Sequence, residues 1–304
     1  MNRRLFLEST LLTAAAQALP AQSALPWGGP VIDIHVHPRR EPGLCFAHNE
    51  GSGVSKAVLL TRVSDADKAK AEIDLNPRQF IWFAAADPAQ PGTFESLQKA
   101  LDSGARGIGE MKSHTAADAK EMRRVYDLCA ERQVPVLIHF QEVAHFAGEG
   151  DFNAGFRQFD KILKAHSKTT FIGHADFFWA NISADVPTNT GYPSGPVKVG
   201  GITDKWLAEY PNLYGDMSAN SGNNAFSRDA EFARGFLDRH QNKLMFGSDC
   251  SCRDGHGTGG SPLLPRLKGK CVGRDTLGVA KQLATPEVFR KITWNNAARL
   301  LKMS

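Results

Sequence analysis

Two histidines, His35 and His37, close the run VIDIHVH (31–37), spaced so that both lie on one face if the run is a strand. Three more polar residues end apolar runs in the same manner: His139 in VPVLIHF (134–140), His174 in TFIGHAD (170–176) and Asp249 in KLMFGSDC (243–250). Four of the ten histidines are therefore placed where a β-branched or aromatic stretch stops. Core packing is a poor explanation, because a buried imidazole needs a polar partner. Imidazole plus carboxylate is instead the donor mixture that holds zinc or a similar divalent ion. An ion of that kind lowers the pKa of water and makes a nucleophile near neutral pH. One His-x-His alone would equally suit two hydrogen-bonded or exposed histidines; the repetition at other run ends is what points to a metal.

The elements that must position these residues are also legible. Besides the four runs above, KAVLLT (56–61), FIWFAAAD (80–87), ARGIGEMK (105–112) and NLYGDMSA (212–219) read as strands, which makes eight. Helical patterns lie between them, for example 116–133 and 156–167. Strands alternating with helices at roughly 25 to 45 residue intervals imply parallel β-α units, and eight units predict a (β/α)8 TIM barrel. The alternative, a doubly wound sheet, would carry a Gly-rich phosphate turn after its first strand, and HPRREPG is not one. In a barrel, Asp33, His35 and His37 would face inward and Ile32, Ile34 and Val36 outward. Long connections at 177–201 and 251–270 leave the ends of the sixth and eighth strands, where barrel active sites are built, and are candidates for substrate contact, with solvated connections as the alternative. Thr285-Pro286 reads as the N-cap and first turn of a helix.

Taken together, DIHVH, VLIHF, FIGHAD, FGSDC and the closing NNAARLL resemble the amidohydrolase superfamily, specifically its amidohydrolase-related branch, which also holds decarboxylases and lactonase-like enzymes. The resemblance spans essentially the whole chain after residue 24 and implies a metal held by His35, His37, His139 and Asp249. It further implies that His174 acts as acid, base or electrophile with one ion, or as a ligand when there are two. Asp249 would take the proton from water and pass it to the leaving group; His174 would polarise a carbonyl or stabilise an oxyanion. IGEMK (108–112) is similar to the glutamate-bearing fourth strand of TatD-like nucleases, which implies a second ion on Glu110 and His174. Glu110 could instead pair with Lys112 or orient a ligand imidazole, and Lys112 is a weaker candidate for metal or substrate. Asp216 and Ser218 share a face of the seventh strand and read as supporting or pocket groups. Arg39 and Arg40 could hold a substrate carboxylate or phosphate, or be ordinary loop residues. Phe177, Phe178 and Trp179 suit either a pocket wall or loop packing.

The functional expectation is a metal-dependent hydrolase cleaving a C–N or C–O bond of a small molecule, with zinc as one or two ions. A metal-dependent non-oxidative decarboxylase is the alternative, and a binuclear TatD-like phosphodiesterase the third reading. A catalytically silent binding barrel would have no need of the full ligand set. A formal charge of +4 without a basic run gives nucleic acid no support, and no stable membrane anchor is expected. No feature specifies or excludes a homo-oligomer. Residues 1–24 read as an export signal: Arg3-Arg4 precede an apolar Ala-rich stretch with cleavage after Ala18 or near Ser23 and Ala24, and a twin-arginine type is favoured over a Sec signal. A periplasmic or secreted location and a single barrel domain over 25–304 follow. Five scattered cysteines are too few for a disulfide framework. A Cys252–Cys271 bridge or purely structural roles are expected; Cys250-Ser251-Cys252 suggests a thiolate metal site, but nothing in the sequence supplies its second half.

Overall fold

Every predicted strand is present in the computed structural model, which describes residues 25–303. The strands are β1 (Ile32–Val36), β2 (Lys56–Arg62), β3 (Phe80–Ala85), β4 (Ile108–Met111), β5 (Val136–His139), β6 (Phe171–His174), β7 (Leu213–Asp216) and β8 (Leu244–Met245). They pair in parallel in sequence order. The Ile34 amide donates to the Phe246 carbonyl at 3.0 Å, and this bond brings β8 back to β1. The result is a (β/α)8 TIM barrel. Parallel neighbours need a crossover between them. The helices are α1 (Leu44–Ser52), α2 (Ala66–Leu75), α3 (Thr93–Asp102), α4 (Lys120–Arg132), α5 (Asp160–Ala165), α6 (Asp176–Ala180), α7 (Ile202–Glu209), α8 (Ala219–Ser227), α9 (Ala230–Arg239), α10 (Val272–Leu283), α11 (Pro286–Arg290) and α12 (Asn296–Leu301). Thr285 caps α11 as expected, its hydroxyl accepting from the Val288 amide at 3.3 Å. The proposed export signal lies outside the described residues. No helix among those described is long and apolar enough to cross a membrane.

Strand alternation separates two apolar layers. Val136 and Ile138 of β5 and Phe171 of β6 pack with Val125, Tyr126 and Cys129 of α4 on the outside. Leu137 and Ile172, one residue along, join Leu60, Phe83 and Met245. A set drawn from β2, β3, β5, β6 and β8 can meet only in the lumen. Ile32 and Ile34 belong to that cluster, with Ala297 and Leu301 of α12, rather than facing outward as expected; the pairing register of β1 shifts between Asp33 and Val36, and Val36 does pack outward, with Cys45 of α1 and Ala69 of α2. Because Leu137 faces inward, so does His139, at the mouth.

On β4 the pairing register shifts between Ile108 and Met111, and both of these pack outward. The extra residue of this bulge places Gly109 and Glu110 together between them. A side chain on Gly109 would stand 2.8 Å from Leu137 Cβ, so glycine there lets β4 and β5 close. Gly173 does the same on the outer face, where a Cβ would lie 2.1 Å from the ring of buried Phe178. Gly173→Ala is therefore expected to destabilise the fold by about 1–3 kcal/mol, read as a lower urea midpoint with unchanged slope.

The two long connections run beside the barrel mouth without lining its cavity. Phe177, Phe178 and Trp179 are fully buried in α6 and belong to the core, so they are packing rather than a pocket wall. Neither 177–201 nor 251–270 contributes to the cavity over the barrel mouth. Phe177, Phe178, Trp179 and Val197 of the first and Cys252 and Leu267 of the second are buried, whereas Val199 and Leu263 are exposed.

Candidate metal centre

Five strand ends bring their polar residues to one point. His35 Nε2 and His37 Nε2 stand 3.3 Å apart. Glu110 Oε2 lies 3.4 Å from His37 Nε2 and 3.9 Å from His35 Nε2. Asp249 Oδ1 lies 3.5 and 3.7 Å from the same two nitrogens. The other Glu110 oxygen, Oε1, contacts His139 Nδ1 and lies 3.4 Å from His174 Nε2. Asp249 Oδ2 is 3.9 Å from His174 Nε2. Glu110 thus turns one oxygen to the His35–His37–Asp249 group and the other to the His139–His174 group.

Each imidazole is oriented from behind, which decides the nitrogen it presents. His35 Nδ1 donates to Asp216 Oδ2 at 2.6 Å, and His37 Nδ1 donates to the Leu60 carbonyl at 3.1 Å. His174 Nδ1 donates to Ser218 Oγ at 2.9 Å, while that hydroxyl donates to Asp216 Oδ2 at 2.8 Å. All three rings therefore aim Nε2 at the centre. His139 is held the other way round: its Nε2 donates to Gln141 Oε1 at 3.0 Å, leaving Nδ1 toward Glu110. This carboxylate, hydroxyl and carbonyl backing is what ligand histidines require. Asp216 and Ser218 are thus supporting groups, touching two imidazoles and not the cavity. Gln141 escaped the sequence reading; its position two after His139 was the one signal available. Glu149 escaped it too. It accepts from Gln141 Nε2 at 3.0 Å and pairs with Lys112 Nζ at 3.4 Å, so the His139 support continues to Lys112.

Chain geometry at the strand ends is unusual. Ala175, Ala219 and Asp249 have φ of 80°, 64° and 41°, in the half of conformational space that L-residues avoid. They immediately follow His174, follow Ser218, and carry the site carboxylate itself, a placement typical of functional sites. The Asp249 amide donates to the His35 carbonyl at 2.9 Å, tying the two strand ends together. Asp33 adds a second tie: its Oδ1 accepts from the His35 and Ser248 amides, each at 2.9 Å. Burial pushes the Asp33 carboxyl up to about 7.

The electrostatics suit a cation. Burial opposes a charge on His35, yet Asp249, Asp216 and Glu110 outweigh it and push its pKa up to about 10. Burial likewise disfavours the Glu110 charge, but contact with His139, His174 and His37 holds its carboxyl well below the usual range. Burial together with the nearby His35 pulls His174 down. The buried His174 Nε2 has no hydrogen-bond partner. Four imidazoles around two carboxylates, with an orphaned nitrogen aimed inward, fit one or two divalent ions.

A cavity of about 440 Å³ opens over this cluster, lined among others by His37, Glu110, His139 and Asp249. The side chain of Asp249 is 28% exposed, so its carboxylate reaches both the imidazoles and the cavity. The candidate substrate arginines do not line it. Arg39 spends its guanidinium on the carbonyls of His37, Cys250 and Cys252, and Arg40 is solvent-exposed outside the cavity. Arg62 at the end of β2 and Lys112 line it instead. Their signal was the strand-end position already used for the histidines.

The sequence matches no family model and no curated protein. Solved structures do match in fold, at low identity. A probable 2-pyrone-4,6-dicarboxylic acid hydrolase from Acinetobacter baumannii, with citric acid bound, aligns at TM-score 0.57 and 13% identity, over 90% of this chain and 100% of that one. A TatD homolog from Escherichia coli aligns at TM-score 0.57 and 14% identity, over 90% and 98%. A 5-carboxyvanillate decarboxylase from Novosphingobium aromaticivorans, complexed with manganese, aligns at 0.51 and 15%, over 85% and 79%. These neighbours include a probable hydrolase and a decarboxylase, and this chain shares their fold.

Proposed function

We propose that this chain is a metal-dependent hydrolase of the amidohydrolase superfamily, cleaving a C–N or C–O bond in a small anionic molecule. The observation that carries the reading is the convergence of His35 Nε2, His37 Nε2, Glu110 Oε2 and Asp249 Oδ1 within 3.3 to 3.9 Å, with each imidazole fixed from behind. His35, His37, Glu110 and Asp249 would hold one divalent ion; Glu110, His139 and His174 would hold a second. That division differs from the expected set in grouping His139 with Glu110 and His174. When bound, such an ion lowers the pKa of water at the site and polarises a substrate oxygen.

The chain's own residues do the rest. The Asp249 carboxylate, open to the cavity, takes a proton from the attacking water and delivers it to the leaving nitrogen or oxygen. Arg62 and Lys112 at the cavity wall orient an anionic substituent of the substrate. Gln141 and Ser218 keep His139 and His174 from rotating, and Asp216 does so for His35. Asp216→Asn is accordingly expected to weaken metal affinity about 10–100-fold, measured by competition with a chromogenic chelator.

The test is metal analysis together with a substrate panel of lactones, amides, esters and aromatic carboxylic acids. Metal-dependent hydrolysis supports the reading. Carbon dioxide release from a carboxylic acid would replace it with the decarboxylase alternative, which Arg62 and Lys112 also suit because either could grip a carboxylate. Turnover confined to phosphodiesters would favour the TatD-like alternative.

A further inference from the structure

Away from the strand-end cluster, four other ligand-type side chains meet. His48 comes from α1, Cys250 and Cys252 from the segment leaving β8, and Cys271 from the N-cap of α10. All four are buried, and one donor atom of each lies within 4.8 Å of the others. Cys250 Sγ is 3.3 Å from Cys252 Sγ, and Cys252 Sγ is 3.4 Å from His48 Nδ1. Donors around tetrahedral zinc, at about 2.3 Å for sulfur and 2.0–2.1 Å for nitrogen, stand roughly 3.5–3.8 Å from one another. The expected Cys252–Cys271 bridge is not formed: all five cysteines are free thiols. A disulfide between any two of the three clustered thiols would also leave the third as a lone thiol and His48 Nε2 without a partner.

His48 supplies independent support. His48 Nδ1 faces both Cys252 Sγ, at 3.4 Å, and the Cys252 carbonyl, at 3.1 Å, while the buried Nε2 has no hydrogen-bond partner, so the polar atoms of the ring are not all satisfied without a further ligand. We propose that His48, Cys250, Cys252 and Cys271 form a structural zinc site of Cys3His type, distinct from the strand-end centre. Three soft thiolates and one imidazole select zinc over harder cations. Four protein donors leave no open position, and none of the four lines the cavity, so the site is structural rather than catalytic.

The surroundings hold the donors in place. A Cβ on Gly255 would stand 2.3 Å from the Ser52 amide nitrogen and 2.5 Å from the His48 carbonyl. One on Gly51 would lie 1.8 Å from the Asp254 carbonyl oxygen. The segment after Cys252 therefore rests backbone-to-backbone on α1, a contact only glycine permits. Arg39, donating to the Cys250 carbonyl and at 3.2 Å to the Cys252 carbonyl, sets a positive charge beside the thiolates. Cys271 Sγ accepts from the Arg274 amide at 3.5 Å, at a helix start that favours a thiolate. Zinc here would clamp α1 and α10 to the residue directly after Asp249, fixing the segment from which that carboxylate projects.

Cobalt substitution of the full chain tests this. A thiolate-to-cobalt charge-transfer band is expected in the wild type and in His35→Ala/His37→Ala, because the strand-end centre has only nitrogen and oxygen donors. Cys252→Ser/Cys271→Ser should lose the band and one zinc per chain. A folded wild type without the band overturns the site. So does thiol counting in denaturant, without reductant, that finds two of the three cysteines oxidised. Both readings use the wild type, so a misfolded variant leaves the test intact.

Discussion

Replacing His35 and His37 together by alanine is expected to abolish turnover while leaving the barrel folded. Both rings end at the mouth, and neither is needed by the apolar layers formed by Leu60, Phe83, Leu137, Ile172 and Met245. Their removal deletes two of the four donors of that group and leaves only Asp249 Oδ1 and Glu110 Oε2. Lewis-acid stabilisation contributes several kcal/mol of barrier lowering, so a loss of at least about a thousandfold in kcat/KM is expected at about 1.4 kcal/mol per tenfold. Mass spectrometric metal analysis should show the strand-end ion absent and, on the Cys3His proposal, one zinc retained. A variant that keeps full metal content and activity would end the assignment of this cluster.

Asp249→Asn is expected to act differently. An amide can still offer an oxygen to a cation, but it cannot accept and return a proton. General acid–base transfer of this kind contributes about 10²–10⁴-fold, so kcat should fall by that factor with KM little changed and metal content kept. The distinction is sharp because the Asp249 side chain is 28% exposed and opens to the cavity, whereas the supporting Asp216 is fully buried. Loss of metal without a separate effect on kcat would make Asp249 a ligand only and move the proton transfer elsewhere.

The sequence was informative where side-chain position follows from local periodicity. Eight apolar runs marked eight strands, and the two-residue repeat placed His35 and His37, His139, His174 and Asp249 at one end. It was also informative for Glu110 and Lys112, though for a partly different reason: a bulge on β4, not simple alternation, brings Glu110 to the mouth. The long connections were legible as loops, but their length carried no information on which side chains they bury or what they touch. In 251–270 the contact is with α1, as Gly255 and Cys252 show. Arg39 misled because adjacency to the histidines says nothing about which carbonyls a guanidinium will find.

Strand count, barrel class and the polar residues at the strand ends were thus determined by the chain itself, since alternation and hydrophobic runs act over a few residues. Tertiary structure alone decided which imidazole nitrogen faces inward, because Asp216, Leu60, Gln141 and Ser218 come from other strands or from beyond their ends. It alone split Glu110 between two groups of donors. It also assembled the thiol site, where 204 residues separate His48 from Cys252. No spacing rule reaches that far; only closure of the barrel, which returns β8 to β1, brings the two halves together.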